Sequence, residues 1–192
     1  ALQKYTNFKH NKVVGMAGIL DTSRFIYFLS EHLSVETSKI RSFVLGGHGD
    51  SMVAMLNHTY IDGKPISELV KNGKLKKDKL DFIIDRTKNG GAEIVKFLEK
   101  GSAFYAPASS GVEMADSYLN NKKKQLPCAA FVNGEYGVKS LYVGVPVIIG
   151  SSGVEKVIEI DLSPTEKENF NKSINSVKNL YEAAIKIDPT LK

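Results

Sequence analysis

Cysteine is nearly missing from this sequence: 192 residues contain one, Cys128. A lone thiol excludes an internal disulfide framework and points to a reducing, cytoplasmic setting. Long apolar runs are missing too. None approaches the roughly 20 residues that span a bilayer, and the opening ALQKYTNFKHNK has no apolar centre of a secretory signal. A membrane role is therefore not expected. Neither G-x-G-x-x-G after a strand nor G-x-x-x-x-G-K-[ST] occurs, so the chain shows no nucleotide-binding loop of its own. Cysteine and histidine do not cluster at zinc spacing, and the G-x-S-x-G elbow of hydrolases does not occur. No metal site is expected.

What is present fits a globular domain. Hydrophobic residues make up 42% and charged residues 24%, proportions that bury a core under a wet surface. The net charge of +5 raises the question of nucleic acid. The lysines are scattered, however, apart from Lys74, Lys76, Lys77 and Lys79 and then Lys122, Lys123 and Lys124. Neither group interleaves aromatics, so solvated surface is the simpler reading. A weak positive field would still draw in a small anionic substrate.

Hydrophobic periodicity outlines the elements. Residues 1–5 read as the end of a helix and 19–33 as an amphipathic helix. Strand-like runs at 40–45 and 52–56 flank Gly46-Gly47-His48-Gly49. Residues 66–71, 79–98 and 109–118 read as helical, with Asn89-Gly90-Gly91 predicting a kink or break in the second. Strands follow at 128–132, 137–142, 143–149 and 154–160. Ser163-Pro164-Thr165-Glu166 is a capping box with proline at the first helical position, opening a last helix through Phe170, Ile174, Val177, Leu180 and Ala184. The order predicts one α+β domain over residues 1–192, with a mainly antiparallel sheet and packed helices. The aromatic pair Phe104-Tyr105 reads as core packing.

Two segments could carry chemistry. Asp21 and Arg24 stand three apart at a helix start and can face the same way. His48 sits in a turn among Gly46, Gly47 and Gly49, where little bulk keeps a ligand from the imidazole. Plainer readings compete: Asp21 as an N-cap, Arg24 as a surface arginine, His48 as a turn residue. Nothing in the spacing alone joins the three.

The stretches VGMAGILDTSRF and VLGGHGDSMV nevertheless resemble the catalytic signature of the lactate/malate dehydrogenase family. RTKNGGAEIV, GSAFYAPASS, LPCAAFVNGEYG and VGVPVIIGSSGVEKVIEIDLSPTE are similar to further family segments in family order, so the resemblance covers nearly the whole chain. It implies the fold of that family's C-terminal, substrate-binding domain. It also implies a role for each residue: His48 as proton carrier, Asp21 as its hydrogen-bond partner and Arg24 as the grip on the substrate carboxylate. Gly46, Gly47, Gly49 and Ala103 would shape the pocket.

NAD would be held mainly by an N-terminal domain that these residues do not include, with 1–5 a remnant of the connecting helix and the isolated chain inactive. Ala103 falls where lactate dehydrogenases typically carry threonine, and Ala106-Pro107-Ala108 is similar to the bacterial, lactate-dehydrogenase-like malate enzymes. Malate and oxaloacetate are thus the expected substrates, in a homo-oligomer. A lactate dehydrogenase and a catalytically silent assembly module are the alternatives.

Overall fold

A computed structural model describes residues 1–191. Helix α1 (Leu2–Tyr5) is followed by the long α2 (Ala17–Leu33), strands β1 (Ile40–Arg41), β2 (Val44–Gly46), β3 (Met52–Ala54), β4 (Tyr60–Ile61) and β5 (Lys64–Pro65), and helix α3 (Ile66–Lys71). Helices α4 (Lys77–Leu98) and α5 (Tyr105–Leu119) come next. Strands β6 (Lys124–Val132), β7 (Leu141–Gly150) and β8 (Gly153–Val157) and helix α6 (Pro164–Ile187) complete the order. A five-stranded sheet runs β3-β2-β7-β6, with β8 also paired to β7. A small sheet runs β1-β4-β5, and every strand pair in both is antiparallel. The expected α+β fold is the one observed.

The β2–β3 hairpin explains why its sequence is apolar without a break. Strand side chains alternate between faces. Leu45 and Val53 enter one core with β6, β7 and Phe170 and Ile174 of α6. Val44, Met52 and Ala54 enter a second core with Phe25 and Leu29 of α2 and Leu80 and Ile83 of α4. The hairpin is thus a wall between two cores, buried on both faces, and the turn it carries is fixed from both sides.

Helix α2 starts at Ala17, earlier than its apolar pattern, because Gly18 permits close approach to β6; a Cβ there would lie 2.5 Å from the Pro127 carbonyl oxygen. Thr22 ties the helix to the hairpin by accepting from the Val44 N–H at 3.0 Å. The capping box of α6 forms in both halves: Ser163 Oγ accepts from the Glu166 N–H, and the Glu166 carboxylate accepts from the Ser163 N–H.

Several expectations need correction. The run 40–45 is not one strand: the chain leaves the small sheet after Arg41 and enters the large one at Val44. Strand β3 ends at Ala54, where a 3-10 turn over Leu56–His58 takes over. The predicted strands 137–142 and 143–149 are one strand, β7; residues 137–140 belong instead to a turn in which Tyr136, Gly137 and Ser140 have positive φ. Strand β6 begins four residues early, and β8 ends at Val157. Helix α5 begins at Tyr105, and Phe104 and Tyr105 are exposed, their rings in tilted contact with each other, not buried in the core. Helix α4 runs unbroken through Gly90-Gly91.

Lys122, Lys123 and Lys124 are ion-paired with Asp116, Glu155 and Glu113, so that cluster is largely neutralised. Among the described residues no helix is long and apolar enough to cross a membrane. The same residues contain no group of three or more histidine, cysteine or acidic side chains arranged to hold a metal.

Candidate active site

Helix α2 supplies two members of the site. Asp21 lies one turn inside the helix, not at its cap, and its side chain is almost wholly buried. Arg24, one turn further, is 10% exposed. The hairpin turn supplies the third. His48 Nδ1 donates to Asp21 Oδ2 at 2.8 Å, and the Gly49 N–H reaches the same oxygen at 3.4 Å. Arg24 Nη1 stands 3.7 Å from the other carboxylate oxygen, Oδ1, which accepts no hydrogen bond from a described residue. Residues remote in sequence thus meet at one carboxylate, which links an imidazole to a guanidinium.

A carboxylate this far from water must be paired, or it takes up a proton. Here the imidazole of His48 and the guanidinium of Arg24 flank it. The consequence falls on the imidazole, whose side chain is about half exposed. The hydrogen bond to Asp21 raises the His48 pKa above 6.5; partial burial and the nearby Arg24 charge oppose that shift without cancelling it. A carboxylate at Nδ1 also fixes the tautomer, since that nitrogen must carry the proton. Nε2 is then left to give or take one, and among the described residues it makes no hydrogen bond.

The guanidinium is held differently. None of its N–H groups donates a hydrogen bond to a described residue, so its two-pronged donor face is available for a carboxylate ligand. Its course explains the Gly90-Gly91 pair in α4. A Cβ at Gly90 would lie 3.1 Å from Arg24 Cδ, while one at Gly91 would come no nearer than 3.8 Å to the guanidinium. Gly90 makes room for the arginine, and the pair does not break the helix. A Gly-Gly in mid-helix was the available signal, and periodicity alone could not say which partner needed the space.

The other expected positions divide. Gly46 and Gly49 take positive φ of 87° and 62° and shape the His48 turn. At Gly46 and Gly47 the space a side chain would fill is occupied by Ser173 of α6 and by Ser51, so their lack of bulk admits protein, not ligand. Ala103 is half-buried in the segment ahead of α5, outside the hydrogen bonds and ion pairs that join the other three. Ser173, which sequence reasoning passed over, touches the His48 turn directly.

An imidazole aligned by a buried carboxylate can give or take a proton at its other nitrogen, and an arginine with unused donors can pair with a carboxylate. The family model for the lactate/malate dehydrogenase α/β C-terminal domain matches residues 19–187, and the chain belongs to this family. It is 59% identical over 191 residues to a malate dehydrogenase of Pelagibacter ubique (strain HTCC1062), covering all of this chain and 60% of that protein. The chain thus spans about 60% of that relative's length.

Among solved structures, Cryptosporidium parvum malate dehydrogenase matches with a TM-score of 0.88 and 44% identity, over 91% of this chain and 56% of that one. The lactate dehydrogenase of the same organism, complexed with lactic acid and nicotinamide adenine dinucleotide, matches with a TM-score of 0.92 and 42% identity, over 94% and 57%.

Two outcomes follow. Asp21→Asn removes the carboxylate charge that raises the His48 pKa, so that pKa should fall in an NMR titration of the ring protons. Because the folded-state pKa is raised, His48 adds stability that is complete below about pH 6.5. That contribution is lost as pH rises through the folded pKa; urea melts should show the loss in the parent chain and not in Asp21→Asn. A His48 that titrates at or below 6.5 in the parent chain contradicts this.

The second outcome concerns α4. Replacing a mid-helix glycine by alanine usually stabilises by about 0.5–1 kcal/mol. Gly91→Ala should do so, whereas Gly90→Ala should give no gain, because it crowds Arg24. Equal stabilisation by both, in thermal melts, would show that the contact imposes nothing.

Proposed function

We propose that the chain is the substrate-binding, catalytic half of an NAD-dependent malate dehydrogenase. The observation that carries this reading is the junction of His48, Asp21 and Arg24 at one buried carboxylate. In the proposed reaction malate is oxidised to oxaloacetate. NAD, bound mainly by an N-terminal domain outside these residues, serves as the hydride carrier, and the chain alone should turn nothing over.

This chain's own residues handle the carboxylate and the proton. Arg24 grips the substrate carboxylate with two parallel N–H donors, a geometry lysine cannot copy. His48 Nε2 takes the hydroxyl proton during oxidation and returns it to the carbonyl oxygen in the reverse direction. Asp21 holds the ring so that Nε2 faces the substrate, and its charge stabilises the imidazolium that results.

Malate is preferred to lactate on three grounds. The Pelagibacter ubique relative is a malate dehydrogenase, Ala103 stands where threonine is typical of lactate enzymes, and Ala106-Pro107-Ala108 follows it. The solved malate and lactate dehydrogenases match the fold almost equally, so the fold itself does not separate the two. The reading extends to a homo-oligomer in the cytoplasm. Exposed Phe82, Phe97 and Leu98 on α4 and Val112 and Leu119 on α5 support surfaces that other chains or the remaining domain would cover. The single buried thiol, Cys128, suits a reducing compartment.

Steady-state kinetics of the complete protein test the assignment. Oxaloacetate should give a higher kcat/KM than pyruvate, and the opposite order would reverse it. His48→Asn should lower kcat on the order of 10²–10⁴-fold, the usual worth of a positioned acid–base group. Arg24→Lys should mainly raise KM.

A further inference from the structure

The turn that carries His48 is short and glycine-rich, and its imidazole is half exposed, yet the ring is aligned on Asp21. Something must hold the backbone there. The hydroxyl of Ser173, on α6, accepts from the Gly47 N–H at 2.8 Å and donates to the Ser51 carbonyl oxygen. One hydroxyl thus uses its donor and an acceptor lone pair to join the two sides of the turn, immediately before and three residues after His48. We propose that Ser173 is a positioning residue of this site: a clasp that closes the 47–51 turn and so keeps His48 Nδ1 on Asp21. This role rests on the reading of His48 as the proton carrier; the clasp itself does not.

Three further observations support the clasp. Helical serines can bond back to the carbonyl four residues earlier, as Ser176 does to Lys172 and Ser110 to Ala106, whereas Ser117 of α5 leaves its helix to donate to the Ile149 carbonyl oxygen. Ser173 likewise turns away from its helix. It is 3% exposed, so the groups it pairs have little water to replace it. The room for it is provided on the opposite side by Gly46, where a Cβ would stand 2.2 Å from Ser173 Oγ. Gly46 is also pressed from the sheet side, for a Cβ at Gly144 of β7 would lie 2.5 Å from the Gly46 carbonyl oxygen. The start of the turn is therefore clamped between β7 and α6. The charged groups acting on His48 are Asp21 and Arg24 of α2, and Ser173 adds no charge. It can alter the histidine only through geometry.

The test is Ser173→Ala in this chain, read by NMR without substrate. The clasp requires that the His48 pKa move down toward 6.5 in the variant, although no charged group has been changed. It also requires the Gly47 amide to exchange with solvent at least about tenfold faster, the factor that one hydrogen bond is worth. A variant that is less stable but keeps the His48 pKa and the Gly47 exchange rate would make Ser173 a packing residue only, and would overturn the proposal.

If the variant does not fold, the parent chain decides. The Gly47 amide should be as protected as the paired amides of β7, and exchange at the rate of an exposed loop would refute the clasp. Neither readout depends on turnover, so a complete protein that failed to reduce oxaloacetate would overturn the enzymatic reading and leave this one standing.

Discussion

A carboxylate that water cannot reach is the constraint on which the rest depends. Asp21 sits on the inward side of α2, and its charge is tolerable only because His48 and the Gly49 N–H meet one oxygen and Arg24 stands near the other. Losing one partner of such a group is costly, because the charge that stays behind has no solvent to turn to. The same requirement ties α2 to the β2–β3 hairpin more firmly than apolar packing alone would. It also converts a structural need into chemistry, since the partner that neutralises Asp21 is itself a titrating group with a free nitrogen.

The scaffold is arranged to keep the three residues in register. Helix α2 provides Asp21 and Arg24 on successive turns, and Thr22 between them bonds to β2. The hairpin, buried on both faces, carries the His48 turn. Helix α4 yields a channel for Arg24 at Gly90, and α6 closes the turn through Ser173. Four elements converge, and three of them meet the site through small residues: the hairpin at Gly46 and Gly49, α4 at Gly90 and α6 at Ser173. Small residues at the contacts allow backbone-level approach, which transmits less slack than long side chains would.

How much of this was legible depended on range. The capping box at Ser163–Glu166 is local, and it formed as read. The apolar period of α2 and the turn at Gly46–Gly49 were visible for the same reason. Asp21 and Arg24 could be seen to share a face, but whether Asp21 capped the helix or lay inside it depended on where Gly18 meets Pro127, a tertiary fact. The meeting of His48 with α2 was legible only through resemblance to a family, not through spacing. Gly90-Gly91 was misread as a break, because a glycine pair looks the same whether it ends a helix or makes way for an arginine. Ser173 gave no signal at all, since a serine within an amphipathic helix ordinarily reads as solvent-facing.

The central claim is that the buried Asp21 carboxylate dictates which nitrogen of His48 carries the proton. The most direct measurement is the ¹⁵N spectrum of the His48 ring, with long-range couplings to its carbon-bound protons, at a pH above the imidazole's own titration. The expected result is the Nδ1–H tautomer, with Nε2 unprotonated, although free histidine prefers the reverse. A neutral His48 found with its proton on Nε2, or an even mixture of the two forms, would contradict the account.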